Sequence, residues 1–328
     1  MTLLLSSENI RELLTMEQTI RLMEQAFSEL AAGTSLMPQR IAVTDPEHNG
    51  WYAFMPAHLK KAGALGIKAV TVYKDNPSKW DLPSTLATIM LMDSDTGRVI
   101  CVMDGSYITA MRTGAISGLA TKLLARNDAR VAGVLGTGVQ ARTQLWAIAV
   151  VRKLDKALCY STNPREQQER FAEEIGRQLG IPVEVAENPG QVVESADILA
   201  LATTSETPIV KWQWIRPGTH INGVGAHLPH ARELDTKTVV RAKIVCDHIP
   251  ACLAEAGDLR IPITEGALSA EDIYAELGEL VTGKKIGRES DQEVTFFKSV
   301  GLSIQDIGTA HYVYEQAIQR NIGTEFQF

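Results

Sequence analysis

A short glycine pattern near the middle of the chain could hold the phosphates of a dinucleotide. Gly136, Gly138 and Ala141 form Gly-x-Gly-x-x-Ala, which follows the apolar residues 131–135 and precedes residues with helical spacing. The first glycine permits a sharp turn, the second lets a pyrophosphate approach the backbone, and the small third residue lets the helix lie close to the strand. Free N–H groups at the helix start attract the anion. The pattern favours a dinucleotide site over an ordinary strand–turn–helix.

The residues after the next predicted strand indicate which dinucleotide binds. A site for NAD carries Asp or Glu at the end of this strand, where the carboxylate accepts hydrogen bonds from the ribose. Residues 160–165 contain no carboxylate. Ser161, Thr162 and Asn163 can donate to a 2′-phosphate, and Arg165 can pair with it through two parallel hydrogen bonds. The sequence thus favours NADP(H) over NAD(H); the alternative is that Arg165 is a solvated residue at a helix start.

Three cationic side chains occur in segments that otherwise carry apolar or small residues. Lys68 interrupts residues 65–70, Arg112 interrupts the helical pattern of residues 108–116, and Arg40 begins a predicted strand. If the fold brings them together, they would hold a carboxylate at low dielectric, and the two guanidinium groups would fix its orientation. Taken singly, each is better explained as a surface residue or a structural ion pair. Convergence is therefore the condition for this hypothesis.

The elements that must position these residues divide the chain into two parts. The first part contains five predicted strands with few helices between them, namely Gln39–Thr44, Trp51–Met55, Leu65–Tyr73, Ala87–Met92 and Arg98–Met103. Such a series indicates an antiparallel or mixed sheet. In the second part strands alternate with helices, which predicts right-handed crossovers and a doubly wound parallel sheet.

We therefore predict an α/β fold that combines a Rossmann domain with a smaller α+β domain. The Rossmann dinucleotide-binding domain is expected at residues 129–302, with a helix at Ser269–Val281. A further predicted helix, Ser303–Arg320, is expected to pack on the first domain, because a finished α/β sheet seldom needs so long a tail. The substrate-binding domain would then be discontinuous and comprise residues 1–128 and 303–328.

Composition limits the classes of partner. The 328 residues carry a formal net charge of −7 and no basic run, which argues against a nucleic-acid surface. No apolar run is long enough to cross a membrane, and the N-terminus does not resemble a signal peptide. The four cysteines are spaced for neither a zinc site nor a disulfide framework, so we expect buried thiols, no metal and a cytoplasmic location.

Six segments of the sequence resemble the ornithine cyclodeaminase and mu-crystallin family. They occur in family order and are Met37–Arg40, Gly66–Lys68, Met103–Gly114, Gly136–Ala141, Asn222–Ala226 with Arg232–Asp235, and Glu293–Gly301. The resemblance implies a homodimer whose first domain binds an amino or imino acid and mediates dimerisation, and whose second domain is a Rossmann domain. It also implies hydride transfer between C4 of a nicotinamide and the carbon α to the substrate carboxylate, through an imine.

The resemblance assigns roles to particular residues. By position, Arg40, Lys68 and Arg112 hold the substrate carboxylate, in agreement with the argument from charge. The cofactor-binding residues that we predict are Thr113, Gly136, Thr137, Gly138, Val139, Gln140, Ser161, Thr162, Asn163, Arg165, Ala202, Thr203, Val224, Lys298 and Ser299.

Two departures from the family pattern bear on the reaction. Cyclodeaminases carry an Asp in the loop after Gly225 for the substrate amine and a Glu near the first-domain strands for the distal amino group; here these positions hold His227 and Ala53. An ammonium-tailed substrate would lose both partners, at a high cost for each unpaired buried charge. His227 can exchange a proton near neutrality, unless it only hydrogen-bonds to the backbone. Lys68, beside two guanidinium groups, is the other candidate catalytic acid.

These observations predict an NAD(P)H-dependent imine reductase or amino-acid dehydrogenase. Its expected substrate is a small imino, keto or cyclic imino acid, such as pyrroline-2-carboxylate or pyruvate plus ammonia. One alternative is an ornithine cyclodeaminase that releases ammonia with catalytic NAD. The other is a non-catalytic, NADPH-bound protein like mu-crystallin, against which the three retained cations argue.

Overall fold

The structure is a computed structural model that describes residues 1–327. Its strands are β1 (Thr2–Leu5), β2 (Ser35–Leu36), β3 (Ile41–Asp45), β4 (Gly50–Leu59), β5 (Ala64–Tyr73), β6 (Thr85–Met92), β7 (Val99–Asp104), β8 (Val131–Leu135), β9 (Lys156–Tyr160), β10 (Val183–Val185), β11 (Ile198–Leu201), β12 (His220–Gly223), β13 (Lys243–Cys246), β14 (Ala275–Glu276), β15 (Thr295–Lys298) and β16 (Thr324–Phe326).

The α-helices alternate with these strands in the second half of the chain. They are α1 (Ser7–Leu13), α2 (Met16–Ala31), α3 (Asn76–Lys79), α4 (Ser106–Leu124), α5 (Val139–Val151), α6 (Arg165–Leu179), α7 (Pro189–Ser195), α8 (Thr236–Arg241), α9 (Ile249–Glu255), α10 (Gly257–Thr264), α11 (Leu277–Val281) and α12 (Ser303–Arg320). Within residues 1–327, no helix combines the length and the apolar character that crossing a membrane requires.

The chain forms two compact units. The first comprises Met1–Arg112 and the chain from Leu302 onward, and the second comprises Thr113–Gly301. The predicted boundary after residue 128 left all of α4 in the first domain, whereas the C-terminal part of this helix belongs to the second unit. Gln144 Nε2 donates to Thr113 O at 2.9 Å, and Asn222 Nδ2 donates to Thr121 Oγ1 at 3.0 Å. Phe328, in the predicted first domain, lies outside the described residues.

The first unit is built on a mixed sheet with the order β16-β1-β7-β6-β5-β4-β2, and β3 also pairs with β4. Strands β4 to β7 are antiparallel neighbours, and β1 runs parallel to β7. Helix α2 begins after Thr15, whose side chain accepts a hydrogen bond from Gln18 N, and it buries Met23 and Phe27. Helix α12 packs against α2, β4 and β5. It therefore carries its residues onto the sheet of this unit.

The second unit is a doubly wound parallel sheet with the order β10-β9-β8-β11-β12-β15-β13-β14. Its first five strands repeat the Rossmann order, in which a dinucleotide binds at the carboxyl ends of the strands where the order reverses. That point lies between β8 and β11, which pair in parallel. Strand β8 is buried from Ala132 to Leu135, as expected for a strand covered by helices on both faces. The predicted α/β fold with a Rossmann domain is confirmed.

The predicted helix Ser269–Val281 is wrong. Residues 270–272 form a single 3₁₀ turn, β14 follows, and only Leu277–Val281 is helical. Strand β14 pairs in parallel with β13, and Tyr274 N donates to Ile244 O at 2.9 Å. The buried residues Ile273, Ala275 and Leu277 recur at every second position, which is the period of a strand.

Candidate functional site

The glycine turn after β8 has the geometry that a dinucleotide requires. Gly136 has φ of 106°, and a Cβ at this position would lie 2.4 Å from Ala202 O, so only glycine fits without distortion. Gly138 begins α5 without a side-chain cap, and a Cβ there would meet no described heavy atom within 4 Å. Val139, in the first turn, is 65% exposed. The turn thus presents uncapped N–H groups at an open helix start, which fits a pyrophosphate.

Polar side chains follow β9, beside this turn. Ser161 Oγ and Thr137 Oγ1 are 2.9 Å apart, and Asn163 Nδ2 donates to Thr137 Oγ1 at 3.0 Å. Arg165 is exposed and forms ion pairs with Glu169 and Glu187. The structure therefore groups Thr137, Ser161 and Asn163, whereas the guanidinium of Arg165 is engaged by carboxylates of the protein.

The remaining predicted cofactor residues lie at the carboxyl ends of other strands or at helix starts. Thr113 is buried in α4, Gln140 is half-buried in α5, and Thr162 is exposed after β9. Ala202 and Thr203 follow β11, and Val224 follows β12, where its N–H donates to Leu201 O at 3.1 Å. Because adjacent parallel strands end at the same edge of a sheet, Ala202 and Val224 lie on the edge that also carries Gly136.

Lys298 and Ser299 differ from the rest of this set. Lys298 is fully buried, and its ammonium donates to Ala226 O at 2.6 Å and to Asp258 Oδ2 at 2.8 Å. Ser299 Oγ donates to Asp247 Oδ2 at 2.7 Å. Both side chains are committed to partners inside the protein. That these two residues bind the cofactor stays a prediction.

A second buried carboxylate completes the network around Lys298. Glu233 Oε1 accepts hydrogen bonds from Thr203 N and Thr203 Oγ1, and Glu233 Oε2 accepts from the backbone N–H groups of Gly225 and Ala226. Burial, followed by the nearby Asp258, raises the pKa of Glu233. We call Glu233, Asp258 and Lys298 the buried charge network. Its hydrogen bonds connect the loop after β11 with the loop after β12.

His227 lies in the loop that this network supports. The residue is half-buried, and its Nδ1 is 3.0 Å from Gly225 O. This contact is the backbone hydrogen bond of the structural alternative for His227. Ala53, the other departure from the cyclodeaminase pattern, is buried in β4.

In the first unit, Lys68 and Arg112 meet at one carboxylate. Lys68 Nζ lies 2.7 Å from Asp306 Oδ2, and Arg112 Nε lies 3.0 Å from Asp306 Oδ1. All three residues are buried. Packing of α12 against β5 brings Asp306 to Lys68, and Arg112 reaches the same carboxylate from α4.

Two buried cations share the carboxylate of Asp306. Arg40 lies close enough to lower the pKa of Lys68, so three cations share a neighbourhood with Asp306. The pKa of Lys68 falls to about 7, because burial outweighs the attraction of Asp306 and because Arg112 and Arg40 oppose a third positive charge. We call Arg40, Lys68 and Arg112 the cation cluster.

Gln305 provides a further polar group beside the cation cluster. Its Oε1 accepts a hydrogen bond from Arg112 Nη1 at 2.7 Å, while its Nε2 is buried without a hydrogen-bond partner among residues 1–327. Sequence reasoning missed both Gln305 and Asp306. The sequence did carry a signal for them, because both are polar residues between the buried Ile304 and Ile307 of α12. Lys68 and Arg112 likewise stand among apolar residues.

Comparison with known proteins defines the family. The family model of the ornithine cyclodeaminase/mu-crystallin family matches residues 1–321. The chain belongs to this family. It is 37% identical to the Delta(1)-pyrroline-2-carboxylate reductase of Bacillus cereus over 327 residues, which cover 99% of this chain and 100% of the relative. The recognition from six sequence segments is thereby confirmed.

Two solved structures of family members are similar over their whole length. The Delta(1)-pyrroline-2-carboxylate reductase of Thermococcus litoralis, in complex with NADH and L-proline, has a TM-score of 0.97 and 47% identity, covering 99% of this chain and 100% of that chain. An archaeal alanine dehydrogenase dimer with bound NAD has a TM-score of 0.94 and 35% identity, covering 100% of this chain and 99% of that chain. Each of the two was solved with a nicotinamide cofactor.

Proposed function

We propose that this family member is a nicotinamide-dependent oxidoreductase that reduces a small imino acid or oxidises the corresponding amino acid. The observation that carries the proposal is that the buried side chains of Lys68 and Arg112 share the carboxylate of Asp306, while Arg40 lies close enough to influence Lys68. Isolated buried charge is unfavourable, and a bound substrate carboxylate would compensate it. The unpaired Nε2 of Gln305 is a further donor that a bound acceptor could satisfy.

The protein residues have separable tasks in this proposal. Arg112 and Arg40 hold and orient the substrate carboxylate, because a guanidinium group offers parallel N–H donors in a fixed plane. A bound nicotinamide supplies or accepts the hydride. Lys68 or His227 exchanges the proton with the substrate nitrogen, since the pKa of Lys68 falls to about 7 and imidazole is a common proton-transfer group in enzymes. Gly136 and the uncapped start of α5 hold the pyrophosphate.

The proposed substrates carry one carboxylate and no distal ammonium group. Delta(1)-pyrroline-2-carboxylate and the imine formed from pyruvate and ammonia meet this description. Three cations would repel an ammonium tail, and the positions of the two cyclodeaminase carboxylates hold Ala53 and His227. The similarity to pyrroline-2-carboxylate reductases and to an alanine dehydrogenase supports the same substrate class.

We further propose that NADP(H) is preferred over NAD(H). The support is the absence of a carboxylate in residues 160–165, where an NAD site would place one. Ser161 and Asn163 already form a hydrogen-bonded group with Thr137 beside the dinucleotide turn. To reach a 2′-phosphate, Arg165 must exchange at least one of its exposed carboxylate partners, which costs little because exposed ion pairs are weak.

A homodimer is the proposed assembly, and one face of the first sheet is the proposed interface. The exposed residues Ile41 and Phe54 lie directly opposite each other on β3 and β4, and Val43 lies on the same face. Leu86 of β6 extends this apolar face through β5. The opposite face of the sheet is covered by α12. Exposed apolar patches of this kind mark association sites, and the similar archaeal alanine dehydrogenase is a dimer.

A cytoplasmic location is also part of the proposal. Its support is that Cys101, Cys159, Cys246 and Cys252 are all buried free thiols. Such thiols are typical of proteins in reducing compartments.

A substrate panel tests the proposed reaction. The protein is mixed with NADPH or NADH and either Delta(1)-pyrroline-2-carboxylate or pyruvate plus ammonia, and the absorbance of the reduced cofactor is followed. We expect oxidation of the cofactor and a loss of kcat/KM of at least about thirty-fold in Arg112→Gln, equivalent to about 2 kcal/mol of transition-state binding. Arg130→Gln, at an exposed position, is the matched control. Tight NADPH binding without turnover of any substrate would overturn the proposal.

A further inference from the structure

The carboxylate of Asp306 occupies an unexpected place for a site that binds an acid. It lies between Lys68 and Arg112, at 2.7 Å from the first and 3.0 Å from the second, and it is fully buried. A carboxylate inside a carboxylate-binding site repels the ligand. With an apolar or amide side chain at position 306, Lys68 and Arg112 would attract the substrate carboxylate more strongly. The position of Asp306 therefore requires another explanation than ligand affinity.

We explain the position of Asp306 by its effect on the protonation of Lys68. Lys68 is buried next to Arg112 and under the influence of Arg40, and an ammonium group in such surroundings loses its proton. Asp306 is the negative group that opposes this loss. It also fixes the direction of Arg112 from one side, while Gln305 Oε1 accepts from Arg112 Nη1 on the other. Thr109 Oγ1 also lies close to Lys68 Nζ, at 3.5 Å.

We propose that Asp306 is a positioning residue that keeps Lys68 in its protonated form, so that Lys68 is the group that delivers the proton to the substrate nitrogen. This proposal rests on the proposed function of imine reduction. Asp306 acts through Lys68 and Arg112 and does not touch the substrate. The same carboxylate holds the guanidinium of Arg112 in the orientation that a bound carboxylate needs.

The proton balance is simple. Reduction of the C=N bond adds a hydride to carbon and a proton to nitrogen. The N–H bond of the Lys68 ammonium breaks, its electron pair stays on Nζ, and the proton forms a new bond to the substrate nitrogen. Lys68 then recovers a proton from solvent, which the charge of Asp306 favours. A pKa of about 7 suits both steps, because it lets the group give and regain a proton near neutral pH.

The decisive measurement is the pKa of Lys68 in the full-length protein, and it requires no substrate. Lysine is labelled with ¹⁵N, the Lys68 side-chain signal is assigned by its loss in Lys68→Met, and the signal is followed by NMR from pH 5 to 10. Asp306→Asn keeps the size of the side chain and removes its charge. We expect it to lower the pKa of Lys68 by at least about one pH unit, as for loss of an opposite charge within about 4–6 Å.

A second variant removes a positive charge beside Lys68 and should shift its pKa in the opposite direction. Arg112→Gln removes a positive neighbour and is expected to raise the pKa of Lys68, so the inference can be tested even if Asp306→Asn does not fold. Glu29→Gln is the matched control, because Glu29 is a buried carboxylate of the same unit that accepts from Lys61 N and Ala62 N, away from Lys68. It should leave the pKa of Lys68 unchanged. An unchanged pKa of Lys68 in both Asp306→Asn and Arg112→Gln would overturn the inference.

The pH profile of kcat/KM for imine reduction connects the residue to turnover. The reaction needs protonated Lys68, so activity falls as pH rises through its pKa. In Asp306→Asn this fall should begin at lower pH by the shift that NMR measures, and Asp306→Glu, which keeps the charge, should restore it. A profile that stays in place while the NMR pKa moves would exclude Lys68 as the proton donor. A shifted NMR pKa without turnover of any imine would instead refute the proposed function and leave the electrostatic role of Asp306 intact.

Discussion

Replacement of Lys298 by Met should strongly destabilise the second unit. The ammonium is fully buried, 2.8 Å from Asp258 Oδ2 and 2.6 Å from Ala226 O. At an effective dielectric constant of about 20, the charge pair attracts by about 6 kcal/mol before desolvation is subtracted. Removal of Lys298 leaves Asp258 and Glu233 as neighbouring carboxylates without a cation. Breaking a buried pair in this way costs about 3–5 kcal/mol.

Urea denaturation at two pH values tests this reasoning. Burial and Asp258 raise the pKa of Glu233, whereas Lys298 lowers it, so the pKa rises further in Lys298→Met. A carboxyl group whose pKa is higher in the folded state loses stability as pH rises above its unfolded value. The deficit in free energy of unfolding should therefore be larger at pH 8 than at pH 5. Lys156→Met, which breaks the exposed pair with Glu184, should cost less than about 1 kcal/mol. A deficit of that size in Lys298→Met would refute the argument.

Three further predictions concern the cofactor turn, the nucleotide and the assembly. Gly136→Ala should abolish NADPH binding in a fluorescence titration, because its Cβ would collide with Ala202 O. The control is Gly33→Ala, which also has positive φ but has open space around it. This control should lower the free energy of unfolding by only about 1–2 kcal/mol and leave NADPH binding intact. Arg165→Ala should raise KM for NADPH about ten-fold and leave KM for NADH unchanged, and equal effects on both would refute the 2′-phosphate role. Phe54→Lys should shift the protein from dimer to monomer in sedimentation analysis, whereas a dimer that persists would place the interface elsewhere.

The fold was predictable from the sequence wherever one periodicity dominated. The strand–turn–helix around Gly136 and the helix Ser303–Arg320 were found because apolar residues, glycine and helix spacing agree with one another. The helix predicted for residues 269–281 is wrong because their apolar positions fit the period of a strand as well as that of a helix. Ile273, Ala275 and Leu277 are buried at every second position, and β14 forms here because it pairs with β13. The split of α4 between two units could not be predicted either, because it depends on long-range hydrogen bonds such as that from Asn222 to Thr121.

Among the buried charged residues, only those whose type conflicts with their surroundings could be predicted from the sequence. Lys68 and Arg112 were conspicuous as cations among apolar neighbours, and the structure brings them together. Asp306 shows the same conflict, because it lies on the buried face of α12 beside Ile304 and Ile307. Glu233 and Asp258 have no such signal, since each stands among polar or small residues in sequence and is buried by contacts distant in the chain. Spacing can identify a residue that is out of place, but it cannot identify the partners of that residue.

The two buried clusters differ in the sign of their excess charge. We infer from this difference that the cation cluster binds an external ligand, whereas the buried charge network has a structural role. In the buried charge network two carboxylates surround one ammonium, and backbone and hydroxyl donors satisfy Glu233 on both oxygens. The excess is negative, and a proton can neutralise it, as the raised pKa of Glu233 indicates. In the cation cluster the buried Lys68 and Arg112 share the carboxylate of Asp306, and the guanidinium group does not release its proton in proteins. These two cations on one carboxylate leave a positive excess while Lys68 is protonated, and a substrate carboxylate is the anion that the family's reaction provides.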